Sequence, residues 1–198
     1  MSREKANDLA FLHGLWYDKR KTKRRFFMDF LDLAKERFSV RAFKKDDVEE
    51  EKLAAILEAG RVAPTACNKQ PQKIFVAKSE ESRKKLAAVC RFTFDAPVVL
   101  VVAYDKERSW QNDLMPGYES GETDAAIVCT HMMLAAWEAG IGSCWVGWFN
   151  AEDIEKALDL PENLRVTAIL PIGYPAEGAV PTKLHTKIRD FNDTITVI

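Results

Sequence analysis

Hydrophobic positions recur at two different spacings along the chain, and their alternation predicts helices interleaved with strands. Phe27, Phe30, Leu31, Leu33 and Ala34 share one side of a helix predicted over 26–37. A second helix, over 48–62, buries Leu53, Ile56 and Leu57 and takes Asp46 or Asp47 as its N-cap. Pro64 and Pro71 bracket a polar loop over 65–70, followed by a strand over 73–77. Ser79 and an acidic first turn open a third helix over 79–89. The uninterrupted apolar, β-branched run 98–104 has the pattern of a strand covered on both faces. Further strands are predicted over 143–149 and 165–173, with a helix capped by Asn150 over 150–158 between them. The last 25 residues read as irregular, ending in a short β-like 194–198.

The segment 122–139 differs from the other helices. Ala125, Ile127, Val128, Met132, Met133, Leu134 and Trp137 leave it almost no polar face. Such a helix belongs in the core or against a partner subunit, which argues for a homodimer. The loop before it, 105–120, carries Trp110, Met115 and Tyr118, and loops of that length are often functional. Strands and helices in alternation give an α+β or three-layer α/β arrangement around one central sheet.

Composition narrows the function classes. With 198 residues, 47% hydrophobic and 30% charged, the chain has the balance of one ordinary folded domain. A net charge of −1 exerts no overall pull toward nucleic acid or an anionic membrane. No apolar run reaches the ~18 residues of a spanning helix, and the N-terminus lacks the order of a secretory signal, so a cytoplasmic location is expected. Cys67, Cys90, Cys129 and Cys144 form no CxxC pair and lack metal-ligand spacing; they read as reduced, mostly buried thiols. Residues 1–27 stand apart as an arm in which Lys19, Arg20, Lys21, Lys23, Arg24 and Arg25 crowd together, leaving 28–198 as the domain. A solvated extension explains that cluster, and a nucleic-acid tether is the alternative.

Several residues could carry chemistry. Arg37 and Arg41 flank Ser39 just past the first helix; guanidinium forks suit a phosphate, while a cation at a helix C-terminus also complements the dipole. Gly140-Ile141-Gly142 follows a helix and opens a strand, the reverse of a dinucleotide-binding loop, so these glycines end the helix. His131 reads as a hydrogen-bonded core residue. Trp145 and Trp148 beside Gly147 could wall a flat ligand or simply pack in the core.

Four segments in order resemble the nitroreductase family of FMN-dependent NAD(P)H oxidoreductases. They are Arg37-x-Ser39-x-Arg41, the loop Ala63-Pro64-Thr65-Ala66-Cys67-Asn68-Lys69-Gln70-Pro71, the run from Ala139 to Gly147, and the tail Lys187-Ile188-Arg189. The resemblance implies a mixed central sheet flanked by helices in an intertwined homodimer. It also implies that Arg37, Lys187 and Arg189, with Ser39, hold the FMN phosphate, and that Arg41 reaches the flavin pyrimidine edge and tunes the flavin. Pro64, Thr65, Ala66, Asn68 and Gln70 would come from the other subunit, while the backbone of Trp145, Val146 and Gly147 would meet the isoalloxazine. The implied chemistry moves electrons from NADH or NADPH through flavin N5 to small flat oxidants, nitroaromatics or quinones, by a ping-pong mechanism. No metal, nucleic acid or membrane enters it. Alternatives are a specialised dehalogenase or dehydrogenase of the superfamily, or a non-catalytic flavin-binding protein. The family's pyrimidine-edge Asn and Lys have no clear counterpart, since that stretch reads Cys90-Arg91-Phe92-Thr93-Phe94, and Gln72 replaces the usual aromatic after Pro71.

Overall fold

Strands β1 (Gln72–Ala77), β2 (Val98–Asp105), β3 (Gly142–Ser143) and β4 (Leu164–Gly173) form one sheet in the order β1-β2-β4-β3. The computed structural model describes residues 29–198; the arm 1–27 and the start of the first predicted helix lie outside the described residues. The named ladders are antiparallel, and a parallel bridge between Ser39 and Ser143 at the β3 edge makes the sheet mixed.

Helices cover both faces. On one side, α2 (Glu50–Arg61) and α4 (Gly121–Glu138) bring Leu53, Ile56, Val128 and Met132 against Val98, Leu100 and Val102. On the other, α3 (Glu80–Val89) and α5 (Ala151–Ala157) bring Leu86 and Ile154 against Val99, Val101 and Ala103. The period-2 alternation of β2 therefore feeds two cores at once, which is why every residue from Val98 to Tyr104 is buried. In β4, Val102 pairs with Ala168 but Ala103 pairs with Val166, so Thr167 is an extra residue in a β-bulge. Past that bulge the face changes: Val166 joins Ile169 in the second core.

Three predicted boundaries are corrected. Neither Asp46 nor Asp47 caps α2; Val48 is buried at 2% exposure, so the helix begins after it, with Glu49 at the N-cap. Glu49 makes no capping hydrogen bond, because its carboxylate accepts one from the Tyr174 hydroxyl at 2.7 Å. The strand predicted over 143–149 pairs continuously only at Gly142–Ser143. At the next position the Cys144 N–H donates to the Pro171 carbonyl at 3.2 Å, and proline has no N–H to return the bond. The chain rejoins β4 at a single bridge, Val146 to Ile169. The predicted β-like 194–198 joins no strand: Thr194 closes a short helix, α6 (Phe191–Thr194), nucleated by Asp190, whose side chain accepts from the Asn192 N–H at 2.9 Å, and 195–198 has no regular structure. The first helix, α1, is observed over Phe30–Glu36 with Asp29 as its cap. No helix among the described residues is long and apolar enough to cross a membrane.

Candidate functional site

The segment 37–41 leaves α1 as extended chain and is stitched to the β3 region. The Val40 N–H donates to the Ser143 carbonyl at 2.9 Å, and Val40 is buried at 1% exposure. Gly142 permits this approach, since a Cβ there would lie 2.7 Å from Val40 Cγ2. Strand alternation then turns Ser39 and Arg41 away from the core that Val40 enters. Phe38 packs edge-on to Trp137 near the end of α4, with ring centroids 5.2 Å apart. Cys144 records the convergence of the motif: burial pushes its thiol pKa up, while Arg41, the Ser39 hydroxyl and Arg37 all act to lower it.

The glycines act as the sequence implies. Gly140 has φ 75°, and the end of α4 is closed by Gly140 N–H to Trp137 O at 2.9 Å and Ile141 N–H to Ala136 O at 2.8 Å, a Schellman arrangement. The chain then continues through Trp145 and Val146 beside β4. The Val146 N–H is taken by the Ile169 carbonyl at 2.9 Å, which leaves the Trp145 and Gly147 N–H groups without a backbone acceptor among the described residues. Gly147 is exposed.

The tail reaches the same region. A His185 ring nitrogen (Nε2) lies 3.0 Å from the Lys35 carbonyl in α1, and its ring stands 6.4 Å from Phe38. That contact fixes the tail beside the end of α1, where Arg37 is the C-cap, and Lys187 and Arg189 follow within four residues. None of Arg37, Arg41, Lys187 and Arg189 forms an ion pair with a carboxylate among the described residues. A set of uncompensated cations with a nearby hydroxyl is suited to a phosphate monoester.

The loop after α2 is built differently. Thr65 precedes a 3₁₀ turn, Ala66–Asn68, and Cys67, Asn68 and Gln70 all have positive φ, at 47°, 53° and 49°. Non-glycine residues in this region cost on the order of 1–3 kcal/mol each, and such strain gathers at ligand sites. The loop is pinned from within by Gln70 N–H to Thr65 Oγ1 at 3.0 Å and Gln70 Nε2 to Asn68 Oδ1 at 3.1 Å. It is pinned to α4 by the Ala66 N–H, which donates to Asp124 Oδ1 at 2.8 Å. Asp124, 2% exposed, also accepts from the Ser120 hydroxyl at 2.7 Å. The sequence reading did not single out Asp124; an acidic residue in a first turn ordinarily serves only the helix dipole. Its signal was a charge inside the most apolar helix among the described residues.

The structure thus joins two of the four motif segments, brings the chain just before a third close to them, and separates the fourth. Segments 37–41 and 139–147 meet at the Ser39–Ser143 bridge near the Trp137 end of α4, and the tail comes to that end through His185, two residues before Lys187, whereas the 64–70 loop is anchored at Asp124. Thirteen residues of helix separate these points, or ~20 Å at 1.5 Å per residue.

Along the outer side of α4, Thr123, Ala126, Ile127, Thr130 and His131 line a shallow apolar groove. His131 is hydrogen-bonded, with Nδ1 2.9 Å from the Ile127 carbonyl, but it sits half-buried on this stripe rather than in the core. Cys90, Cys129 and Cys144 are buried free thiols and Cys67 is exposed.

Comparison with known proteins matches the nitroreductase family at residues 34–91 and 89–174. A protein of Methanothermobacter thermautotrophicus assigned as an NADH dehydrogenase/NAD(P)H nitroreductase is 31% identical over 158 residues, covering 76% of this chain and 80% of that protein. The crystal structure of a nitroreductase family protein from Clostridium difficile 630 superposes with a TM-score of 0.79 at 35% identity, covering 85% of this chain and 98% of that one. A nitroreductase with bound FMN from Bacteroides fragilis superposes with a TM-score of 0.64 at 25% identity, covering 86% and 99%.

Proposed function

This chain belongs to the nitroreductase family, and from that membership we propose an FMN-dependent oxidoreductase that takes electrons from NADH or NADPH and passes them to small flat oxidants such as nitroaromatics and quinones. The observation that carries the reading is the division of the motif residues between the two ends of α4. One chain alone presents two half-sites ~20 Å apart. A two-fold dimer that sets the Asp124 end of one α4 against the Trp137 end of the other completes two sites together. The half-buried stripe of Ala126, Ile127, Thr130 and His131 supports this use of α4.

In that assembly Arg37, Lys187 and Arg189, with Ser39, grip the FMN phosphate through charge-assisted hydrogen bonds. Arg41, at the exposed end of the same extended segment, lies along the pyrimidine edge and favours negative charge there. Pro64, Thr65, Ala66, Asn68 and Gln70 reach in from the other subunit, held in shape by Asp124. Trp145, Val146 and Gly147 line the ring system, with the Gly147 N–H free to meet a ring acceptor. When bound, the flavin supplies the acceptance and delivery of reducing equivalents.

The absorption spectrum of the purified protein tests this reading. A yellow protein that releases FMN on denaturation, and bleaches when NADH or NADPH is added without oxygen, is expected. A colourless protein that takes up no FMN at micromolar concentration overturns it.

A further inference from the structure

Trp148 is 73% exposed, yet its ring is held in place. It stacks on Phe92 with centroids 5.2 Å apart and planes 25° from parallel. The Arg91 guanidinium carbon lies 4.9 Å from the Trp148 ring and 4.6 Å from the Phe92 ring. Phe94, in left-handed backbone with φ 52°, stands behind Phe92 at 6.0 Å. Arg91 makes neither an ion pair nor a side-chain hydrogen bond among the described residues. A guanidinium held over aromatic rings by cation–π attraction, with no carboxylate or hydrogen-bond partner of its own, has N–H donors available for a carboxylate. A large ring left this open beside an unpaired, oriented cation matches a ligand that has both a flat face and a negative charge. The cluster directly adjoins Gly147, in the stretch assigned above to the ring system.

We propose that the Arg91–Phe92–Trp148 stack is a binding wall for the electron acceptor and selects flat aromatic oxidants that carry a carboxylate. The acceptor ring lies against Trp148 and its carboxylate pairs with Arg91. This rests on the flavoenzyme reading above, since that reading places the flavin ring system, where the oxidant is reduced, beside Gly147.

The test uses the FMN-loaded protein with 4-nitrobenzoate and its neutral methyl ester as acceptors. Anaerobic flavin reduction by NADH or NADPH is followed separately, and its absence would sink the flavoenzyme reading rather than this one. In Arg91→Gln, kcat/KM for 4-nitrobenzoate should fall roughly tenfold or more through KM, with the ester changed by less than about twofold. Raising the salt concentration should weaken the carboxylate substrate alone. Trp148→Ala should raise KM for both acceptors, and Trp148→Phe should recover most of the loss. An equal fall for both acceptors in Arg91→Gln would assign Arg91 to the flavin's potential and overturn the proposal. Unchanged KM values in Trp148→Ala and Arg91→Gln would do the same.

Discussion

Asp124, buried in the first turn of α4, accepts the backbone N–H of Ala66 at 2.8 Å and so holds the strained 65–70 loop from beneath. Asp124→Ala leaves that N–H and the Ser120 hydroxyl without their partner, a cost of about 1–3 kcal/mol. Asp124→Asn keeps an acceptor for Ala66 and should lose less. Both unfolding free energy and FMN affinity should follow the order wild type, Asn, Ala. Wild-type values in Asp124→Ala would show that the loop holds its shape without this contact.

The ~20 Å between the two half-sites makes a prediction about mixed dimers. Arg37→Ala and Asn68→Ala should each bind FMN weakly as homodimers. If the residues meet across the interface, a heterodimer of the two variants concentrates both lesions in one site and leaves the other intact. Mixing, with subunit exchange, should therefore restore up to one FMN per mixed dimer. No recovery on exchange would place both residues in a site built by one chain.

Arg41 is exposed, whereas Val40 before it is buried, and Arg41 forms no ion pair with a carboxylate among the described residues. Its charge should act on the redox balance more than on retention of the cofactor. Arg41→Ala should lower the flavin reduction potential and slow reduction by NAD(P)H, by about 1 kcal/mol after allowance for solvent screening. Potentiometric titration of the bound FMN measures this. An unchanged potential would reduce Arg41 to a structural role.

Tyr104 supplies a pH-dependent contribution to stability. Burial, then its hydrogen bond to Glu119 at 2.9 Å, pushes its hydroxyl pKa from 10.0 to about 12. The folded state thus keeps this proton longer than the unfolded chain does. The stabilisation is complete below about pH 10 and is lost as pH rises through about 12. Wild-type stability should fall more steeply over that window than that of Tyr104→Phe, as measured by denaturation at a series of alkaline pH values. Parallel curves for the two proteins would refute the assignment.

Local rules carried much of the fold into the sequence. The run from Val98 to Tyr104 reads as a doubly covered strand because both of its faces meet helices. Gly140 reads as a helix stop because its positive φ is a local requirement. Asn150 and Ser79 read as caps because a capping oxygen needs only the next turn. What the sequence did not reveal depends on contacts far along the chain. Pro171 interrupts pairing for Cys144, 27 residues away. Thr167 bulges where β2 and β4 must keep both cores filled, and Glu49 is drawn to Tyr174. In the candidate site, the motif segments stand out locally in the sequence, but the separation of the 64–70 loop from 37–41 and 139–147 along α4 is a property of the helix's length and packing.

That division also bears on kinetics. The 105–120 loop closes on itself through a Gln111–Glu119 bridge and the Ser120 N–H to Trp110 carbonyl bond at 3.0 Å, and Ser120 is tied to Asp124. The loop therefore shares the Asp124 end of α4 with the 65–70 loop, so in the proposed dimer both cover the site from the same partner. Its tip carries Leu114 and Met115, 92% and 56% exposed, as apolar surface for a flat ligand. We propose that donor and oxidant use the same flavin face, between these loops and Trp145, in turn, with NAD(P)H leaving before the oxidant enters. Double-reciprocal plots at several acceptor concentrations should give parallel lines, and each substrate at high concentration should inhibit competitively against the other. Intersecting lines would require donor and acceptor to be bound together, and hence a second pocket beside the flavin.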